Sequence, residues 1–371
     1  MSPDRLIVHQ FDPDRDVPGG INTCISDIVR YAPPGYAIAI AGVSGCAEDR
    51  LGEWATRTLH GREIRFMPLA HLAPDRQDRL VPHAARLAAG LARFRRRMPR
   101  VLTQTHRVDV GAATQRLLAP QEAIQFVHTD TKRALSTGTD SLWRLAPWLY
   151  GLVEQSSLQR VRRVIAFSRS DAERLRRAGF PATAMRTWFD PDLFFPAPVP
   201  PNGHVLRLAW VGRLEPPKAP ELALEALTEL RARDVDATLT VVGDGTLRPA
   251  LEQLAAARGL HDLVELAGAT PRHETADIVR RSHVLVMSSR FEGSPRALIE
   301  ALACGVPVAC TQEADPDELV ETGRTGAVAA SRSPAALAEA IESAAQASRT
   351  ACVDAVRDLR APDAVARLLA A

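Results

Sequence analysis

The sequence predicts an α/β protein made of two Rossmann-like, doubly wound domains facing each other across a cleft. Three observations carry this. Short apolar runs alternate with amphipathic stretches along the whole chain, the pattern of strand–helix units around parallel sheets. The alternation breaks at a stretch with Pro191, Pro196, Pro198, Pro200 and Pro201, then Asn202-Gly203, and the unit count restarts beyond it. The chain has 371 residues, more than one comfortable core, since domains usually run to roughly 100–200 residues.

In the front half, strands are expected at Leu6–His9, Ala37–Val43, Val101–Thr105, Ile124–Val127 and Val164–Ala166. Helices are expected near Asn22–Arg30, Arg79–Arg97, Ser141–Leu158 and Arg169–Ala178. In the back half, strands Leu206–Val211, Leu239–Val242, Leu263–Leu266, Val284–Met287 and Val306–Cys310 alternate with helices near Pro220–Arg233, Leu247–Arg258, Glu274–Arg280, Pro295–Cys304 and Pro334–Ser348. The expected domains are 1–190, a linker at 191–203, a second domain at 204–350, and a C-terminal helix at 351–371 returning to the first domain. A ligand crevice belongs at the carboxyl ends of the strands, between the domains.

Composition narrows the function. The chain is 46% hydrophobic and 24% charged, which excludes long disorder, collagen and coiled coil. The uncharged stretch from Tyr31 to Ala47 is interrupted by Pro33, Pro34, Gly35, Gly42 and Gly45, too broken for a membrane span, and the N-terminus lacks a signal-peptide apolar core. Five cysteines, without a C-x-x-C pair, argue against a disulfide framework or a zinc site and for a reducing cytoplasm. Residues 1–200 carry 28 Lys+Arg against 20 Asp+Glu, whereas 201–371 carry 18 against 24, so the two modules face different partners. A net charge of +2 without an aromatic-rich basic surface excludes nucleic acid. Only Lys132 and Lys218 are lysines; every other cation is Arg.

The strongest local signal is Phe291-Glu292-Gly293-Ser294-Pro295-Arg296-Ala297-Leu298-Ile299-Glu300, followed by the strand Gly305-Val306-Pro307-Val308. Ser294 suits an N-cap and Pro295 a first helical residue, so a helix is expected to start here and offer its unpaired amides to an anion. Glu300 would lie about 9 Å along the axis from Ser294, at ~1.5 Å per residue. Two carboxylates flanking an anion site suit the hydroxyl groups of two sugars on either side of a diphosphate. The plain alternative is a solvated helix with two unrelated glutamates.

A second cluster, Val211-Gly212-Arg213-Leu214-Glu215-Pro216-Pro217-Lys218, follows the restart strand; Gly212 permits close approach, and Arg213 and Lys218 would neutralise a diphosphate leaving group. The third, Val241-Val242-Gly243-Asp244-Gly245, reads equally as a plain glycine turn or as a pocket lining.

In this order and spacing, over Leu206–Val328, these elements resemble the donor domain of family 4 retaining glycosyltransferases of the GT-B fold. The resemblance implies that Arg213 and Lys218 hold the donor diphosphate and Glu300 the ribose. It gives Glu292 the donor sugar, with backbone N–H groups over Gly293 to Leu298 (Gly293, Ser294, Pro295, Arg296 and Leu298 being the donor-binding residues of the stretch) in support of sugar and phosphate, and puts Ala269 and Thr270 at the base. In the front half, Pro18-Gly19-Gly20-Ile21 is similar to the family's glycine-rich loop, and His128, followed by Thr129, Asp130 and Lys132, matches the histidine that reaches the donor sugar; His9 and His106 point to the same edge. No G-x-G-x-x-G fingerprint is present, which removes an NAD-dependent dehydrogenase.

The departures are Ala219 where the family has Gly after the loop Lys, Gln312-Glu313-Ala314-Asp315 in place of a Gly pair (Glu318 keeping its acidic place), and Trp188-Phe189-Asp190-Pro191 where the linker begins. The expected function is a metal-independent, retaining transfer of a sugar from a UDP- or GDP-linked donor to an acceptor hydroxyl. Bacterial glycan, glycolipid, polysaccharide or secondary-metabolite synthesis would be the setting. The acceptor would be a sugar, a lipid-linked sugar or a small molecule, and neither a metal nor a cofactor is needed. The alternatives are an epimerase or phosphorylase of the same fold, or a non-catalytic nucleotide-sugar-binding subunit. Arg93, Arg95, Arg96, Arg97 and Arg100, with Arg86 upstream, are either a solvated face or a patch for anionic lipid, which would put the protein peripherally at the inner membrane face.

Overall fold

The computed structural model describes residues 2–15, 19–72, 83–128, 147–197 and 205–370, and the statements below concern those residues. The chain divides into two compact units, Met1–Arg186 with Val365–Ala371, and Thr187–Ala364.

The first unit runs β1 (Arg5–Val8), α1 (Gly20–Tyr31), β2 (Ile38–Ser44), β3 (Ala55–Leu59), β4 (Arg62–His71), α2 (His83–Phe94), β5 (Leu102–Thr105), α3 (Val108–Leu118), β6 (Ala123–Val127), α4 (Pro147–Leu158), β7 (Arg163–Ala166), α5 (Arg169–Arg177) and β8 (Ala182–Ala184). Its sheet has the order β3-β4-β2-β1-β5-β6-β7-β8. Every pairing is parallel except β3 with β4. β1 is buried at every position, as a central parallel strand covered on both faces must be. Leu6 and Val8 pack with Ala39, Ala41, Met67 and Leu69, and Leu87 and Leu91 of α2 cover them.

The second unit runs β9 (Leu206–Val211), α6 (Pro220–Ala232), β10 (Ala237–Val242), α7 (Arg248–Ala257), β11 (Val264–Gly268), α8 (Arg272–Arg281), β12 (Val284–Met287), α9 (Arg296–Ala303), β13 (Val308–Cys310), β14 (Gly326–Val328), α10 (Pro334–Ala344), α11 (Arg349–Ala355) and α12 (Ala361–Ala370), whose end belongs to the first unit. Its sheet, β11-β10-β9-β12-β13-β14, is entirely parallel. The period of two shows in the core. Leu208, Trp210, Val284 and Val286 face one side with Leu224 and Leu227 of α6 and Ile341 of α10. Ala209, Leu285 and Met287 face the other with Leu298 and Ile299 of α9. The sheet therefore fixes the loops at its carboxyl edge from both sides.

Several expectations need correction. The β3–β4 hairpin was not expected; its two-residue turn, His60-Gly61, has both residues left-handed, at φ 51° and 73°, as a type I′ turn requires. β8, β14 and α3 are also additional. The arginine-rich helix begins, in its described part, at His83 and gives way to a 3-10 turn at Arg95–Arg97. The expected boundary falls too late: Phe189 and Phe194 are buried in the core of the second unit, which begins at Thr187, ahead of the linker expected from residue 191. Residues 198–203 of that linker lie outside the described residues. The single C-terminal helix is two, α11 and α12, separated by a 3-10 turn at Arg357–Leu359 and an extended Arg360; Pro362 sits in the first turn of α12, where a proline is tolerated.

Candidate active site

In the second unit the predicted residues gather at the carboxyl ends of β9 and β12. After β9 the chain makes a 3-10 turn, Pro216–Lys218, and enters α6 through Ala219. Trp210 Nε1 donates to Ser288 Oγ at 3.0 Å, and that hydroxyl donates to the Lys218 carbonyl at 3.2 Å, so β12 clamps the lysine loop. Arg290 N–H donates to the Pro217 carbonyl at 2.8 Å and adds a second clamp. Lys218 Nζ then lies 2.5 Å from Glu292 Oε1. Ser289 Oγ donates to the same oxygen at 2.7 Å. Glu292 is buried, and its backbone N–H donates to the Glu313 carbonyl at 3.2 Å. Lys218 and Glu292, expected to touch different parts of a donor, are thus partners in this structure. Arg213 is exposed at the end of β9.

The helix start shifts by one residue. Pro295 is the N-cap of α9, at φ −76° and ψ 83°, and Arg296 the first helical residue, so the expected N-cap Ser294 does not cap. Pro295 carries no N–H, and the first backbone bond of the helix runs from Ile299 N–H to the Pro295 carbonyl. The amides ahead of Ile299 have no partner within the helix, which makes this end a donor of hydrogen bonds to an anion. Ser294 Oγ is buried without a hydrogen-bond partner among the described residues. An unsatisfied buried hydroxyl calls for a group the chain itself does not supply. Leu298 is a core residue, so only its backbone can serve. Arg296 is tied to Trp188, donating to its carbonyl at 2.9 Å.

Glu300 is buried and accepts from Arg272 Nη2 at 3.1 Å. Arg272, which sequence reasoning missed, lies 5.7 Å over the Phe194 ring. Thr270 hydrogen-bonds Thr275 at 2.8 Å, just ahead of α8. Arg332, also missed, donates to the Ser288 and Ser289 carbonyls at 3.1 and 2.8 Å, and Thr311 Oγ1 donates to the Ser289 carbonyl at 2.8 Å. The glycines have a packing cause. A Cβ on Gly243, at φ 134°, would stand 1.8 Å from the Gly212 carbonyl oxygen, so no side chain fits where these two strand ends meet. Ala219 is left-handed at φ 45°, a conformation that a glycine would adopt without strain.

In the first unit, β1, β5 and β6 are adjacent, and the residues just beyond their carboxyl ends are His9, His106 and His128. His106 Nδ1 and His128 Nε2 are 2.8 Å apart, and the two rings stack at 5.1 Å. His9, buried, has no partner for Nδ1 among the described residues. Burial, with Arg107 nearby, lowers its pKa to about 3; His106 is also lowered well below the usual value, chiefly by burial and then by His128. Both are neutral at pH 7. Cys24 of α1 brings a thiol near, its ligand atom and those of His106 and His128 all lying within 4.8 Å of one another. A search for local C-x-x-C spacing could not find this group, because its members come from three separate elements. All five cysteines are unbridged.

Gly19, at φ 148°, is the N-cap of α1, and both Gly19 and Gly20 are exposed with open space where a Cβ would be. Pro18, Thr129, Asp130 and Lys132 lie outside the described residues. Arg95, Arg96 and Arg100 line a cavity of about 290 Å³ with Thr103 and Pro120, at the amino ends of β5 and β6 and so away from the histidines.

The order of the two sheets and the loops at their carboxyl ends define a GT-B fold. It is shared over nearly the whole chain with sucrose-phosphate synthase from Thermosynechococcus elongatus, at a TM-score of 0.77 and 19% identity, covering 98% of this chain and 97% of the other. HepE (Alr3699) of Anabaena, solved in complex with UDP-glucose, gives a TM-score of 0.69 at 17% identity, covering 99% of both chains. Residues 197–356 match the family described as Glycosyl transferases group 1. That match, apart from the residues outside the described ones, lies within the second unit and covers most of it. The D-inositol 3-phosphate glycosyltransferase of Frankia alni is 37% identical over 144 residues, 36% of this chain and 35% of that protein. The chain thus spans about a third of the length of this relative.

Proposed function

We propose that the protein transfers a sugar, with retention of anomeric configuration and without a metal ion, from a UDP- or GDP-linked donor to an acceptor hydroxyl. The observation that carries this reading is the Lys218–Glu292 pair beside the uncapped start of α9, inside the family-matched domain. A cation, the first amides of α9, which have no acceptor within the helix, and the Ser294 hydroxyl, buried without a partner among the described residues, make a site suited to a diphosphate. With Arg213 exposed alongside, the protein's own groups counter the charge of the leaving group, which is why no metal is invoked.

When the donor binds, Lys218 moves part of its charge to the phosphates, and Glu292 turns its acceptor capacity to hydroxyls of the sugar. Glu300, held by Arg272, accepts from the ribose hydroxyls; a carboxylate has more acceptor sites than one guanidinium N–H takes. Ala269 and Thr270 face the base. The acceptor hydroxyl attacks the anomeric carbon from the face the nucleotide leaves, and its proton passes to a donor phosphate oxygen, so no carboxylate is needed as base. By the family resemblance, His128 and the Gly19-Gly20 loop would position the sugar. HepE's complexes with UDP and UDP-glucose support a uridine donor in this fold, and the relative from Frankia supports a small hydroxylated acceptor. No helix among the described residues is long and apolar enough to cross a membrane. The cavity at Arg95, Arg96 and Arg100 is the place for peripheral contact with anionic lipid at the inner face.

A thermal-shift screen with UDP, GDP and their sugars tests donor binding, since a ligand of the folded state raises the melting temperature. NMR of the product's anomeric proton tests retention. An inverted product, or turnover that needs no acceptor, would overturn the reading.

A further inference from the structure

Resting on the transferase reading, we infer that a buried chain of hydrogen bonds, Arg5–Gln104–His106–His128, sets the tautomer of His128, so that His128 meets its ligand as an Nδ1–H donor and not as a base. The argument is one of donors and acceptors. Arg5, 1% exposed in the middle of the first sheet, donates from Nη1 to Gln104 Oε1 at 2.7 Å and from Nε to the Tyr36 hydroxyl at 3.1 Å. A guanidinium can only donate, so the oxygen end of the Gln104 amide must face it. The nitrogen end then lies 2.7 Å from His106 Nε2, and that nitrogen must accept. His106 is buried and neutral, so its one proton sits on Nδ1, which therefore donates to His128 Nε2 at 2.8 Å. His128 Nε2 accepts, and its proton is on Nδ1. Each link admits one polarity, and the only fixed charge, Arg5, sets them all.

This is the less common form of neutral histidine, whose free side chain prefers the proton on Nε2. Any group that meets His128 at Nδ1 must therefore be a hydrogen-bond acceptor, such as a sugar or phosphate oxygen. Arg5, Gln104 and His106 act through His128 and are positioning residues. The arrangement also opposes a metal at Cys24, His106 and His128, because each of the two facing nitrogens is already committed to the other.

The test is nitrogen-15 NMR of the full chain labelled at its histidines, read at neutral pH, with signals assigned by His106→Asn and His128→Asn. Both residues are expected in the Nδ1–H form. Either residue in the Nε2–H form, or stoichiometric zinc in the purified protein lost in Cys24→Ala, overturns the inference. In Gln104→Leu, His106 is expected to become a mixture of tautomers, and kcat for donor turnover to fall about tenfold with KM within about twofold. Unchanged kcat with an altered tautomer mixture removes the positioning role. The spectrum is independent of activity: a chain with both Nδ1–H signals and no transfer sinks the transferase reading alone.

Discussion

Lys218 and Glu292, 74 residues apart in sequence, form an ion pair of 2.5 Å at the carboxyl edge of the second sheet, with Glu292 more deeply buried than its partner. Under the proposed function, the pair would let one site keep both a cation for phosphate and a carboxylate for sugar hydroxyls. Without a ligand, each neutralises the other.

Removing one partner should separate activity from stability. Lys218→Ala leaves a buried carboxylate unpaired and is expected to cost about 1–3 kcal/mol of stability as well as transfer. Arg213→Ala, at an exposed position, should abolish transfer with the melting curve unchanged. Donor turnover and thermal denaturation of both variants check this; normal turnover in both removes the diphosphate assignment.

Glu300→Ala should act on nucleotide affinity. Losing the ribose acceptor is expected to weaken UDP or GDP binding by about tenfold or more, with Arg272→Ala giving a smaller loss by releasing the carboxylate. Calorimetric titration reads both, and an unchanged affinity in Glu300→Ala contradicts the ribose role.

Ala219→Gly should raise stability. A non-glycine residue in the left-handed region costs roughly 1–2 kcal/mol, and the added freedom of glycine in the unfolded chain returns about 0.4–1 kcal/mol of that. A gain of up to about 1.6 kcal/mol in urea unfolding is expected; a loss would show that the Ala219 methyl, buried here, contributes more by packing.

The buried histidines make stability depend on pH. The folded-state pKa of His9, about 3, lies below the unfolded value near 6.5, so between these pH values the unfolded chain binds the extra proton. Stability is therefore fully present above pH 6.5 and is lost as pH falls towards 3, with a slope of up to about 1.4 kcal/mol per pH unit from this residue. His106, shifted in the same direction, adds to it. Chemical denaturation from pH 7 to 4 should show the slope, and His9→Gln should flatten it.

Much of the second unit could be read from its sequence because β12 and β13 are continuous apolar runs, β9 and β10 carry alternating apolar residues, and two of its helices begin at Pro220 and Pro334. The β3–β4 hairpin was not readable, since β4 carries Arg62, Glu63, Arg65 and Pro68 and buries Ile64 and Phe66 on one face and Met67 on the other, beside β2. At the site, local spacing identified Lys218, Glu292 and Glu300 but not that two of them pair. Arg272 and Arg332 gave no local signal, because their partners lie 28 and 43 or more residues away. The histidine chain depends on which strands are neighbours, and β1, β5 and β6 become neighbours only through the crossovers of the fold.

A crystal structure of the full chain with UDP or GDP tests the central claim most directly. The account predicts a diphosphate within hydrogen-bond distance of Lys218 Nζ and of the amides ahead of Ile299, with the ribose on Glu300. A nucleotide bound elsewhere, with Lys218 still closed on Glu292 and the Ser294 hydroxyl still without a partner, would contradict it.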